Sequence, residues 1–391
     1  MPLTGGAAPN VFLSACEASA DLHGAHLMRA IAQERPAARF AGIGGERMGA
    51  AGQEQLFHAR DLSVMGLTEV LGRLGAVRRA FAAARRAFAE GGVDVAVLID
   101  APDFNLRLAA HARRAGIPVV YFIGPKFWAW RKGRLRTIAA RVDHMMTILP
   151  FEKPLYDAAG VPATYVGNPL VDEMAEVAAA APTPGGWRPS DLGLDDARPL
   201  VALLPGSRPG EIAAILPGLL DAAGRVAERV PDAQFALPVA PSLDGAAIRA
   251  RVAACGVPVT CLDGRAVELL CAARVAAMAS GTVTLQAALA GTPGVIVYRV
   301  SPLTWAVGRR LVTLSHVGLV NLVAGEGVVP ELLQDAFTPE AVAEQLVALL
   351  ADGGARDRQC KGLARVRGLM GGAGAPRRAA RVVLDHVRGA A

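Results

Sequence analysis

The chain has 391 residues, 52% hydrophobic and 19% charged, and its net charge of +6 sets 41 Lys and Arg against 35 Asp and Glu. This balance excludes a disordered chain, and the length exceeds what one hydrophobic core usually supports, so two domains are expected. No basic run is long enough to point to nucleic acid, and Cys16, Cys255, Cys261, Cys271 and Cys360 show neither disulfide-framework nor zinc-site spacing. His23 and His26 lie near Asp21 but have no second cluster to complete a ligand set. No metal and no other cofactor is expected.

In chain order, residues 11–15 read as a first strand, followed by Cys16-Glu17-Ala18-Ser19-Ala20-Asp21 and a helix running to Ala32. Residues 39–43 form a second strand, and Gly44-Gly45 after it lets another backbone come close. Over 64–90, Leu67, Val70, Leu71, Leu74, Val77, Phe81 and Phe88 recur at helical spacing, while Arg78, Arg79, Arg85 and Arg86 gather on another face. Two readings stay open there. One is a core-packed helix with a solvated basic side; the other is a basic amphipathic element lying on an anionic membrane.

The apolar run 93–99 suits a strand buried on both faces of a parallel sheet. It stops at Asp100-Ala-Pro-Asp103-Phe-Asn105, which puts two carboxylates and an amide at the strand's C-terminal end. In open α/β sheets that edge is where ligands bind. Asp103 also suits simple helix capping, whereas Asp100 lies outside helical reach. A helix over 106–115 and a strand over 117–123 follow, and then Pro125-Lys126-Phe127-Trp128-Ala129-Trp130-Arg131. Carboxylates on one strand edge and aromatic, cationic surface on its neighbour make the layout of an active-site cleft. Further strands fall at 142–149 and 164–167. Residues 178–198 are rich in Ala, Pro, Gly and Asp, lack periodicity, and read as a linker.

A second strand–helix series begins at 200–204, ending in Pro205-Gly206-Ser207-Arg208 with Glu211 opening a long helix. Such a turn presents backbone N–H groups and a positive dipole end to phosphate, and Arg208 adds a planar fork. Strands follow at 234–239, 257–261 and 275–279. The last leads into Ser280-Gly281-Thr282 at another helix start, a second turn of phosphate type. The uncharged stretch 275–298 is long enough to span a bilayer, but its turn residues favour strand–turn–helix–turn–strand. No signal peptide is expected, and the location implied is cytoplasmic with no spanning helix. Neither a Walker sequence nor a G-x-G-x-x-G fingerprint occurs, so phosphoryl transfer and dinucleotide redox chemistry lose support. A domain gripping a diphosphate and a domain bearing carboxylates point to group transfer from an activated nucleotide.

The motifs Ile99-Asp-Ala-Pro-Asp-Phe-Asn105, Trp128-Ala-Trp-Arg131 and Leu204-Pro-Gly-Ser-Arg208, in this order, carry a resemblance to a known family. So do Glu17-Ala-Ser19, Val64-Met-Gly-Leu67, Leu149-Pro-Phe-Glu152, Ser280-Gly-Thr282, Asn321 and Pro330-Glu-Leu-Leu-Gln334. Over nearly its whole length the chain resembles lipid-A-disaccharide synthase, an inverting glycosyltransferase family. Cys16 and Ala20 stand where the family usually has glycine, and Lys126, Asn168 and Gln286 are further departures. The resemblance implies a GT-B type α/β fold, two Rossmann-like domains facing a cleft: an acceptor domain over 1–177, the linker 178–198, and a donor domain over 199–375. The remaining helix, 376–391, is expected to pack back on the first domain. The implied reaction joins UDP-2,3-diacylglucosamine to 2,3-diacylglucosamine 1-phosphate and releases UDP, on the inner face of the inner membrane. Asp100 and Asn321 are the implied catalytic residues. Glu17, Ser19, Asp103, Asn105, Trp128, Trp130, Arg131, Arg208, Ser280, Gly281, Thr282 and Gln286 are the implied substrate contacts. An anionic membrane surface and a homodimer are admitted as partners. Alternatives are a UDP-sugar epimerase, a muramyl-lipid glycosyltransferase, or a non-catalytic UDP-sugar-binding relative.

Overall fold

The computed structural model describes residues 8–62, 70–125, 133–302, 304–306, 314–351 and 353–388, with the side chains of 70–74 also outside the description. The chain divides into two compact units, Met1–Pro169 with Ala373–Ala391, and Leu170–Gly372.

The first unit is built on seven strands: β1 Asn10–Ala15, β2 Arg39–Gly44, β3 Gln53–His58, β4 Val95–Ile99, β5 Val119–Phe122, β6 His144–Thr147 and β7 Ala163–Tyr165. They pair in the order β3-β2-β1-β4-β5-β6-β7, and every neighbouring pair is parallel. Parallel strands need crossovers that lay helices on both faces, which is why β4 and β5 are buried at every position. The helix Ala375–Asp385 packs against Ala18–Glu34 and places Ala379, Ala380 and Val383 in the same core as Leu13, Val97 and Phe122.

The second unit repeats the plan with β8 Leu200–Leu204, β9 Gln234–Val239, β10 Val259–Asp263, β11 Val275–Ala279, β12 Gly294–Tyr298 and β13 Glu331–Leu333, ordered β10-β9-β8-β11-β12-β13. Its core joins Val201, Leu203, Phe235 and Val297 to apolar faces of the helices Pro209–Arg229 and Pro339–Leu350. The stretch 275–298 is strand, helix Val283–Ala290 and strand, as its turn residues imply.

Each sheet reverses its winding once, between β1 and β4 and again between β8 and β11. At such a reversal the neighbouring crossovers run to opposite faces, opening a crevice at the C-terminal ends of the strands. Residues 178–198 depart from the expected linker. They belong to the second unit, where Trp187 donates to the Val177 carbonyl at 2.9 Å and lies under the Arg265 guanidinium. Gln234 further ties Asp195 and Arg198 to the sheet. Composition signalled a linker; these anchors make it a packed strap.

Candidate active site

At the first reversal Ala15 sits opposite Ile99, so Cys16 and Asp100 emerge side by side. Asp100 and Ala101 both adopt left-handed backbone, with φ of 49° and 44°, and Ile123 at the end of β5 has φ of 62°. This region is costly for residues with a Cβ, most of all a β-branched one, and persists only where the surroundings impose it. The brace is Asn105. Its amide nitrogen donates to the carbonyls of Ile99 at 3.0 Å and Asp100 at 2.9 Å, and its Oδ1 accepts from Ser14 Oγ at 2.8 Å. The Tyr121 hydroxyl donates to the Asp100 carbonyl at 2.5 Å. Both braces grip the backbone, so the Asp100 carboxylate takes no part in them.

Asn105, expected on the substrate, is 0% exposed, and its side chain is hydrogen-bonded to Ser14 and to the carbonyls of Ile99 and Asp100. Glu17 is exposed on the turn after β1, and Ser19 is exposed in the first turn of the helix that follows. Burial pushes the Cys16 thiol up to about 12, opposed by a hydrogen bond with Ser14 and reinforced by the negative charge of Glu17 and Asp100. Cys16 is therefore a neutral thiol at physiological pH, flanked by two carboxylates. Asp103 does not cap its helix, Pro102–Arg114; the cap position is Ala101, and Asp103 lies exposed in the first turn, paired with Arg134. The helix starts earlier than expected because proline's fixed φ suits its first turn. Behind the turn, Asp21 accepts from the backbone of Gly45, Arg47 and Met48. What approaches the glycine pair is thus a side chain: a Cβ on Gly45 would lie 2.7 Å from the Asp21 carboxylate. Lys126, Trp128, Trp130 and Arg131 lie outside the described residues.

At the second reversal, Gly206 has φ of 112° and no room for a Cβ beside Glu211. The Glu211 carboxylate accepts from the backbone of Ser207 at 3.0 Å and Arg208 at 3.3 Å, and from the Arg208 guanidinium at 3.3 Å. The amides expected to be free for phosphate are thus held by the chain's own carboxylate, Glu211 reaching back from the third helical position to the two residues before the helix. The Arg208 side chain remains 82% exposed. Across the crevice Ser280 Oγ donates to the Val317 carbonyl at 3.0 Å, and Thr282 makes no capping bond to the helix it precedes. Gly281 has open space where a Cβ would point, and Gln286 is half-buried in that helix.

Asn321, expected to be catalytic, lies in a network of hydrogen bonds within the second unit. It is 0% exposed; Nδ2 donates to Val329 O and Glu331 Oε1, both at 2.8 Å, while Oδ1 accepts from the backbone of Val328 and Val329, both at 2.9 Å. Glu331 in turn accepts from the backbone of Val317 and Gly318 at 2.9 Å. Together they hold the loop that Ser280 touches. Glu331, like Ser14 and Tyr121, was not recognised as a functional residue from the sequence; its one signal was its place in the Pro330–Gln334 motif.

A family model described as Lipid-A-disaccharide synthetase matches residues 11–370. The lipid-A-disaccharide synthase of Myxococcus xanthus is 45% identical over 377 residues, covering 96% of this chain and 97% of that protein. Among solved structures, a putative UDP-N-acetylglucosamine 2-epimerase from Listeria monocytogenes superposes with a TM-score of 0.65 at 12% identity, covering 91% of each chain. The glycotransferase of kitacinnamycin gives 0.62 at 15%, covering 98% of this chain and all of that one. At such low identity these two speak for the fold alone, the GT-B pairing of parallel α/β units. With the match over nearly its whole length, the chain belongs to the lipid-A-disaccharide synthase family of glycosyltransferases.

Proposed function

We propose that the chain condenses UDP-2,3-diacylglucosamine with 2,3-diacylglucosamine 1-phosphate, inverting the anomeric centre and releasing UDP. The observation that carries this reading is topological. The carboxylate-bearing turns and the arginine–serine–threonine turns each fall at their sheet's one winding reversal, where α/β sheets bind ligands. Asp100 takes the proton of the attacking hydroxyl, since inversion needs one base and no enzyme-bound intermediate. Arg208, Ser280, Gly281 and Thr282 hold the diphosphate, offsetting the charge that grows on departing UDP; Gln286 lies near enough in sequence to face the same nucleotide. Glu17, Ser19 and Asp103 face the acceptor, together with Trp128, Trp130 and Arg131. Incubating the purified protein with both lipids tests the reading directly. Disaccharide phosphate and UDP in equal amounts are expected. UDP release without disaccharide would mean a different acceptor, and UDP binding without turnover a binding protein.

Arg208→Ala is expected to weaken UDP binding about ten- to a hundredfold, because a charged hydrogen bond to phosphate contributes roughly 1.5–3 kcal/mol. Its present partner, Glu211, is a solvated contact that contributes little. Arg208→Lys should recover only part, lacking the two-pronged fork. Unchanged UDP affinity by calorimetry in the alanine variant would place the phosphates elsewhere.

Both lipids must reach the enzyme from a bilayer, and among the described residues no helix is long and apolar enough to cross one. In the helix Val70–Glu90, Phe88 packs on Phe12 and Phe81 on Phe104. Phe88 is thus buried and Phe81 half-buried against the fold, while Arg78, Arg79, Arg85 and Arg86 are exposed. Each such cation contributes on the order of 1 kcal/mol near an anionic surface, less in salt. We expect co-sedimentation with anionic liposomes that falls at high salt and again when the four arginines become glutamine. A quadruple variant that stays bound, or a parent that never binds, would reduce this helix to core packing.

A further inference from the structure

Beside the strained Asp100 turn, a groove of about 440 Å³ runs between the helices Pro102–Arg114 and Arg134–Arg141. Asp103, Leu106, Arg107, Arg134, Thr137 and Arg141 line it. Among the described residues, three guanidinium groups meet there with one carboxylate. Their placement is uneven. The Arg134 side chain is only 14% exposed, whereas its partner Asp103 is 81% exposed. A well-hydrated carboxylate is a weak counter-ion for a cation held inside a groove. Arg141 spends one N–H on the Leu106 carbonyl at 3.0 Å, and Arg107 is exposed at the rim.

Resting on the proposed reaction, we infer that this groove is the subsite for the acceptor's phosphate. Arginine forks match phosphate oxygens two at a time, and a dianion meets here the charge that Asp103 only partly balances. The volume lies within the range of small-molecule sites and exceeds what a bare phosphate needs, leaving room for the sugar. The location fits as well. The groove begins at Pro102, two residues from the proposed base, and Arg107 lies about one helical turn, ~5.4 Å, beyond Asp103. A hexose whose attacking hydroxyl faces Asp100 carries its anomeric phosphate across the ring, toward the groove. The phosphate keeps all its bonds; its role here is to bind and orient. Had the groove been an ordinary solvated helix face, the arginines would all stand outward, as Arg78, Arg79, Arg85 and Arg86 do.

The test compares two acceptors, the monosaccharide 1-phosphate and the same lipid with a free anomeric hydroxyl. The parent should prefer the phosphate. Arg107→Gln and Arg141→Gln should each raise KM for the phosphorylated acceptor about tenfold or more and reduce that preference, with UDP affinity and melting temperature unchanged. Equal losses on both acceptors, or no loss on either, would overturn the subsite. A lipid headgroup offers the same chemistry. If the variants release phosphatidylglycerol vesicles while acceptor kinetics stay at parent values, the groove serves the membrane and the inference falls. Calorimetry with glucosamine 1-phosphate separates this from the reaction itself. Arginine-dependent binding of that probe in a protein that makes no disaccharide would keep the subsite and sink the reaction; disaccharide synthesis indifferent to Arg107 and Arg141 would do the reverse.

Discussion

Asp100→Ala is expected to lose at least about a hundredfold in turnover, as removal of a general base typically does, while UDP affinity and melting temperature hold. The fold should survive because what fixes residue 100 is its carbonyl, gripped by Tyr121 and Asn105, and alanine keeps that carbonyl. Asp100→Asn is the sharper variant. Asparagine tolerates the left-handed backbone better than most residues, so it preserves shape and polarity and removes only basicity. It should be as inactive as the alanine variant. Asp103→Ala should lose less, since Asp103 has ordinary helical backbone and an exposed side chain that meets Arg134. Equal losses, or a larger one at 103, would reverse the assignment. The strain supports this order: a conformation that costs about 1–3 kcal/mol, repeated at 100, 101 and 123, clusters at the C-terminal ends of two neighbouring strands.

Both sheets were legible because parallel strands buried on two faces must be written as unbroken apolar runs, and 93–99, 200–204 and 275–279 are such runs. The site's location followed from where those runs stop. The roles of individual polar residues did not follow, because a buried amide that braces a turn and an exposed one that meets a sugar are the same letter. Asn105 finds its partner Ser14 some 91 positions away. One local clue existed: Asn105 is in phase with Leu108, Ala109 and Ala112, the buried stripe of its helix. Asn321 likewise sits between the buried Val320 and Val323. The Glu211 contact was also within reach, since an acid at the third position of a helix reaches back to the N–H of the residue before it. The anchoring of 178–198 was not, because Trp187 meets Arg265 only in the folded unit.

Asn321→Ala is expected to lower unfolding stability of the second unit by about 3–5 kcal/mol, the sum of several stranded polar groups at about 1–3 kcal/mol each. Truncation leaves the N–H group and the carbonyl of Val329 without the partner they have now, while the Val328 N–H keeps only the Glu326 carbonyl, at 3.1 Å. It also removes the donor that holds Glu331 where it can receive Val317 and Gly318. The loop bearing Val317 is the one on which Ser280 is fixed, so UDP binding should weaken along with stability. Asn321→Asp should be at least as damaging, because it sets a second carboxylate against Glu331 at hydrogen-bond distance and turns a donor toward the Val329 carbonyl into an acceptor. Urea denaturation and UDP calorimetry on the same samples decide the matter. A residue that touched substrate would behave in the opposite way, with turnover lost and the denaturation midpoint unmoved, and that result would return Asn321 to the catalytic machinery.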